Sequence, residues 1–179
     1  MPANVEIKAR ITNREVTRKL VERISDSEPE VISQEDTFFF SPKGRLKLRV
    51  FPDMSGELIY YERPDTREPG LSKYQSTRLS DPEFVKKCFS EILGIRGTIR
   101  KQRILYMTGS TRIHLDTVDG LGDFLELEVV LGSDGTIEKG KEIAEELMNR
   151  LEIEPRNLVS CAYIDLLYPC DSGETQIRY

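Results

Sequence analysis

The most constraining feature of this chain is a strand-like alternation in which the polar face carries fixed charges rather than the usual mixture of neutral polar groups. Val5, Ile7, Ala9 and Ile11 share one side of the first run, and Asn4, Glu6, Lys8 and Arg10 share the other, because successive strand side chains point to opposite faces. Leu46, Leu48 and Val50 oppose Arg45, Lys47 and Arg49 in the same way, and Lys101 and Arg103 share a face in the stretch from Ile99 to Leu105. Further on, Arg112, His114 and Asp116 oppose Ile113 and Leu115. After the Asp119-Gly120 turn, Phe124, Glu126 and Glu128 oppose Leu125, Leu127 and Val129. An open antiparallel sheet would turn these charges to water, leaving basic strands and acidic strands poorly neutralised. Closing the sheet into a barrel turns them inward and leaves the apolar faces outside for helices to cover. The expected fold class is α+β, a closed antiparallel β-barrel with flanking helices.

Three helices are expected. One runs from the Asn13 cap to Ser25, with Val16, Leu20, Val21 and Ile24 at helical spacing. A second starts at Ser80-Asp81-Pro82-Glu83 and stops at Gly94, with Phe84, Cys88, Ile92 and Leu93 on one face. The third begins near Thr136, with Ile143, Leu147 and Leu151 repeating every four residues. The 179 residues read as one domain over 1–168, with the loop Pro64 to Gly70 and the tail 169–179 as mobile segments. No run approaches the roughly 18 apolar residues of a membrane span, and the first residues resemble no secretory signal, so a cytoplasmic location without membrane association is expected. The net charge of −5 argues against nucleic acid as a partner. Three cysteines, Cys88, Cys161 and Cys170, lack metal-ligand spacing and read as idle thiols.

A polyphosphate presents a row of anionic oxygens, and cations held at fixed spacing by a strand lattice match it. Lys8, Arg10, Lys47, Arg49, Arg63, Lys101, Arg103 and Arg112 are the candidates. Glu126 and Glu128, two apart on one strand, with Glu6 and Asp116 from neighbouring strands, suit a hard divalent cation, Mg2+ or Mn2+. His114 is open to a ligand, an acid-base or a hydrogen-bonded structural role. Gly120-Leu121-Gly122 precedes a strand and reads as a hairpin turn; no Walker sequence is present.

The stretch Asn4-Val5-Glu6-Ile7-Lys8-Ala9-Arg10 resembles the amino-terminal ExExK motif of the CYTH, or triphosphate tunnel metalloenzyme, superfamily. The resemblance continues through Gly44-Arg45-Leu46-Lys47-Leu48-Arg49, Lys101-Gln102-Arg103, Ile113-His114-Leu115-Asp116, Gly120 to Glu128, and Ala162 to Leu167. It implies an eight-stranded tunnel that binds a triphosphate-containing small molecule end-on with one or two divalent metals, and a homodimer by family habit. Glu6, Asp116, Glu126 and Glu128 are the implied metal carboxylates. Lys8, Arg10, Lys47, Arg49, Lys101, Arg103 and Arg112 are the implied phosphate clamp. The implied activity is hydrolysis of a triphosphate, with Glu6 orienting water and Lys8 assisting the leaving group. Class IV adenylyl cyclase activity and non-catalytic polyphosphate binding are the alternatives. The chain departs from the pattern at Asn4, where the first motif glutamate would stand. It departs also at Phe38, in place of the tyrosine that thiamine triphosphatases use, and at Glu62-Arg63-Pro64, where relatives carry a lysine followed by glycine.

Overall fold

The computed structural model describes residues 3–132 and 135–169. Eight strands form the barrel: β1 (Ala3–Arg10), β2 (Glu30–Phe39), β3 (Arg45–Val50), β4 (Gly56–Glu62), β5 (Gly70–Leu79), β6 (Ile95–Thr108), β7 (Thr111–Val118) and β8 (Gly122–Val130). Around the barrel the order is β1-β5-β4-β3-β2-β6-β7-β8, and β8 returns to pair with β1, so no sheet edge is left for another chain to extend. Every pairing is antiparallel. The closed barrel expected from the alternation, with the eight strands that the family resemblance implies, is therefore the fold observed.

The three expected helices are present as α1 (Arg14–Ile24), α2 (Pro82–Leu93) and α3 (Ile137–Arg150), capped at Asn13, Asp81 and Thr136 by side chains that accept from backbone N–H groups three residues on. A short fourth helix, α4 (Tyr163–Leu167), has no counterpart in the sequence reading, since five residues are too few to display a helical period. Of the expected mobile tail, residues 170–179 lie outside the described residues. Among those described, no helix is long and apolar enough to cross a membrane.

The main core lies outside the barrel. Ile7, Ala9, Ile113, Leu115, Leu125 and Leu127 face outward and meet Val21 of α1 and Leu147 and Leu151 at the end of α3. Each fully buried aliphatic side chain there contributes roughly 1.5–3 kcal/mol by leaving water. The seam between α3 and β1 is close enough to require glycine. A Cβ on Gly140 would stand 2.7 Å from Val5 Cγ2 and 2.8 Å from Leu131 Cδ2. Gly140→Ala is expected to destabilise by about 1–3 kcal/mol despite alanine's better helix propensity, a sign that a urea denaturation curve reads directly.

One expectation about α2 is corrected. Phe84 and Ile92 are 63% and 75% exposed, so the face they share points to solvent. The helix docks instead through Phe89, which meets Phe39 edge-on at 5.5 Å between ring centroids, and Pro82, which lies against Gly56. Apolar residues occur on both sides of this helix, and spacing alone does not say which side finds a partner.

Candidate functional site

Because the apolar side chains face out, the alternate positions of all eight strands face in and line a cavity of about 460 Å³. One end is packed by aromatic and aliphatic groups. Phe38, Ile99, Val118 and Phe124 cluster there with Tyr163 and Ile164 of α4, whose Leu167 approaches Gly120 in the β7–β8 hairpin. The segment leading into α4 is tied to β1 by the Val159 N–H donating to the Lys8 carbonyl at 2.8 Å.

Among the described residues, seven basic ones face the cavity: Lys8, Lys47, Arg49, Arg63, Lys101, Arg103 and Arg112. Five carboxylates, Glu6, Asp36, Glu57, Glu126 and Glu128, face it with them, so the wall is net basic even though the whole chain is acidic. Arg10 is not among the lining residues. It sits exposed at the end of β1, its guanidinium 4.8 Å from the Phe124 ring centroid and donating to the Leu121 carbonyl at 3.1 Å. The alternation assigns its strand face correctly, but the strand leaves the cavity before residue 10.

The strand register decides which charges meet. Asp36 lies opposite Arg49 in the β2–β3 pair and accepts from Arg49 Nε at 2.7 Å and Lys47 Nζ at 2.8 Å. Burial opposes its charge, but Arg49 and Lys47 outweigh burial and hold its carboxyl well below the usual range. Burial first, then the neighbouring Arg49 charge, pushes Lys47 down to about 8. Asp116 is 1% exposed and does not line the cavity. It accepts from Lys101 Nζ at 2.9 Å, from Arg103 at 2.7 and 2.6 Å, and from the Tyr163 hydroxyl at 3.1 Å. Its oxygens accept from these four donors, so without a bound metal Asp116 fixes two of the cavity cations. Arg103 also donates to Glu126 Oε2 at 2.5 Å and thereby links the two carboxylates.

Glu126 and Glu128 are positioned by β8 between β1 and β7. Lys8 lies opposite Glu126 and pairs with it at 3.0 Å, and Arg112 lies opposite Glu128 and pairs with it at 3.1 Å. Lys8 Nζ stands 3.6 Å above the Tyr163 ring, a cation–π contact at the packed end. Burial lowers the Lys8 pKa, with Glu126 opposing the shift. Glu6 lies opposite Glu128 and has Arg63 as its nearest cation, at 3.6 Å. Burial, followed by repulsion from Glu128, raises its pKa to about 7. Ionising Glu6 therefore costs stability in proportion to its charge: the cost is absent below about 4.5, its ordinary value, and complete above about 7. Glu6→Gln is expected to melt higher than the parent at pH 8 by on the order of 5 °C and to match it near pH 4.5. A difference that fails to grow with pH contradicts this assignment.

His114, on β7 opposite Glu126, is 3% exposed. Its Nδ1 stands 3.5 Å from Glu128 Oε1 and 3.9 Å from Glu126 Oε2, too far or too poorly aligned to donate, and has no hydrogen-bond partner among the described residues. Burial, then the Arg103 charge, lowers its pKa and favours the neutral imidazole. One ring nitrogen of His114 and one oxygen each of Glu126 and Glu128 lie within 4.8 Å of one another, a spacing that fits a divalent cation. Period two turns His114 to the inward face and leaves a ligand, acid-base or structural role open to it, but singles out no role for Asp36. Asp36 shares the inward face of β2 with Gln34, but its partners follow from β2–β3 register, which no local pattern displays.

Comparison with known proteins agrees with this architecture. A protein of Methanocaldococcus jannaschii named "Putative adenylate cyclase MJ0240" is 26% identical over 173 residues, covering 90% of this chain and 97% of that protein. The structure of PH1012 from Pyrococcus horikoshii OT3 superposes with a TM-score of 0.82 at 26% identity over 91% of this chain and 98% of that one. The fold is shared by HpAC1 from Hippeastrum, at a TM-score of 0.61 and 14% identity over 90% of this chain and 91% of that one. HpAC1 is described as an adenylyl cyclase candidate with a dominant triphosphatase activity. The CYTH domain matches residues 2–163, which include all eight strands of the barrel, and the chain belongs to that family.

Proposed function

We propose that this chain hydrolyses a triphosphate, inorganic tripolyphosphate or an organic triphosphate, releasing the terminal phosphate. The observation that carries the reading is the division of one cavity wall into a cation-rich part and a carboxylate–imidazole part. Lys47, Arg49, Lys101 and Arg103 are held in place by Asp36 and Asp116 and turn toward the cavity, while Glu126, Glu128 and His114 converge on one point. A guanidinium carries five donors and an ammonium three, so each cation keeps donors for phosphate oxygens after its carboxylate is satisfied.

Glu126 and Glu128 are the residues that would hold a divalent cation, Mg2+ or Mn2+, which when bound supplies charge stabilisation to phosphate oxygens. The remaining roles belong to the chain itself. The basic wall aligns the triphosphate and offsets charge on the transferring phosphoryl group, a reaction in which positioning and electrostatics supply most of the rate. Glu6, with a pKa raised to about 7 by burial and Glu128, orients the attacking water and takes its proton at a carboxylate oxygen near neutral pH. Lys8, made more acidic by burial, assists the departing phosphate oxygen. Arg63 and Arg112 bind substrate from the Glu6 and Glu128 side of the cavity.

A second reading, formation of cyclic AMP from ATP, rests on the name carried by the M. jannaschii relative. The deciding experiment offers tripolyphosphate, ATP and thiamine triphosphate separately with Mg2+ or Mn2+ and identifies products by phosphorus NMR and chromatography. Orthophosphate with pyrophosphate from tripolyphosphate is the expected result. Cyclic AMP with pyrophosphate from ATP, and no tripolyphosphate turnover, replaces hydrolysis with cyclisation. Tight binding of all three without any product leaves a binding module.

A further inference from the structure

The buried Nδ1 of His114 is a polar atom for which the fold supplies no hydrogen-bonding partner among the described residues. An imidazole nitrogen left unpaired in a buried site costs free energy unless something fills the gap. What it faces is two carboxylates rather than a donor, and β7–β8 register fixes the arrangement: His114 is directly opposite Glu126, and Arg112, two residues earlier, is directly opposite Glu128. Packing also holds its strand. The neighbouring outward residues Ile113 and Leu115 are fully buried in the main core, so the strand that carries it is anchored on both sides.

We infer that His114 is a direct nitrogen ligand to the divalent cation held by Glu126 and Glu128, and that this nitrogen sets the metal preference of the site. The inference deepens the proposed function and rests on it only for the use of a divalent cation. Carboxylate, carbonyl and water ligands suit Mg2+, whereas imidazole adds affinity for first-row transition ions and little for Mg2+. A centre built from two carboxylates and one imidazole accordingly favours Mn2+ over Mg2+. An alternative role for the ring, a hydrogen bond steadying the two glutamates, would affect both ions alike.

Metal-free protein without substrate separates these cases. Mn2+ binding is followed by loss of the free-ion EPR signal, and Mg2+ binding by competition against it. Wild-type protein is expected to prefer Mn2+, and His114→Gln to weaken Mn2+ by on the order of tenfold or more while Mg2+ affinity stays within about threefold. Equal weakening of the two ions, or no change in either, overturns the inference, as does a wild-type protein that fails to bind Mn2+. Should the variant not fold, pulsed EPR of Mn2+ on the unmutated protein supplies an independent reading. One directly coordinated nitrogen is expected, its coupling shifting when histidine is labelled with 15N, and absence of nitrogen coupling overturns the proposal. Nitrogen coupling in a protein that turns over no triphosphate would sink the hydrolysis reading alone. Turnover without nitrogen coupling would sink the ligand assignment alone.

Discussion

Replacing Glu126 with glutamine is expected to reduce triphosphate turnover by about two to three orders of magnitude, the loss typical of removing one electrostatic element from a preorganised site. Three contacts argue for so large an effect. Glu126 pairs with Lys8 at 3.0 Å, accepts from Arg103 at 2.5 Å and shares the converging point with Glu128 and His114. Neutralising it removes a charge that a divalent cation needs and frees Lys8 from the partner that helps keep it protonated in a buried position. Steady-state phosphate release, with a thermal melt to show that the variant is folded, checks the outcome. Turnover within about threefold of the parent would remove Glu126 from the site.

The second large effect falls on stability. Asp116→Ala strips the shared partner from Lys101 and Arg103, both buried, and from the Tyr163 hydroxyl. Breaking a buried ion pair from one side costs about 3–5 kcal/mol, because buried Lys101 loses its carboxylate partner and Arg103 keeps only Glu126. The expected result is a urea midpoint shifted accordingly, with Mn2+ affinity of the folded protein within about threefold of the parent. A variant of unchanged stability that loses metal binding would assign Asp116 to the metal instead. The same carboxylate adds an acid limit. Burial works against its charge, but Arg103 and Lys101 hold its folded pKa below the ordinary value of about 3.9. Its contribution is therefore complete above that value and is lost as pH falls through the folded one.

Closure of the barrel was legible because the charges recur with period two on strands whose other faces are apolar; Lys8, Glu126 and Lys47 could be turned inward from the pattern alone. The helix starts at Asn13, Ser80 to Glu83 and Thr136 were legible because capping residues and helical spacing are local signals. What the pattern could not give is partnership, which depends on register between strands far apart in sequence. Asp116 and Glu126 are both inward-facing, and only the register between strands brings Arg103 between them. Arg10 shows the complementary limit: period two assigns a face but not how far along the strand the cavity extends. The packed end built by Tyr163 was hidden because α4 is only five residues long and lies 39 positions from Phe124, the ring it meets at 4.9 Å.

The measurement that bears most directly on the whole account is equilibrium binding of orthophosphate, pyrophosphate and tripolyphosphate by calorimetry, without added metal so that turnover does not intervene. Cations spaced along a single cavity wall require affinity to climb steeply with each phosphate added, and require that climb to flatten in Lys101→Met. Equal affinities for the three anions, or no detectable binding of tripolyphosphate, would mean that the inward charges serve only one another.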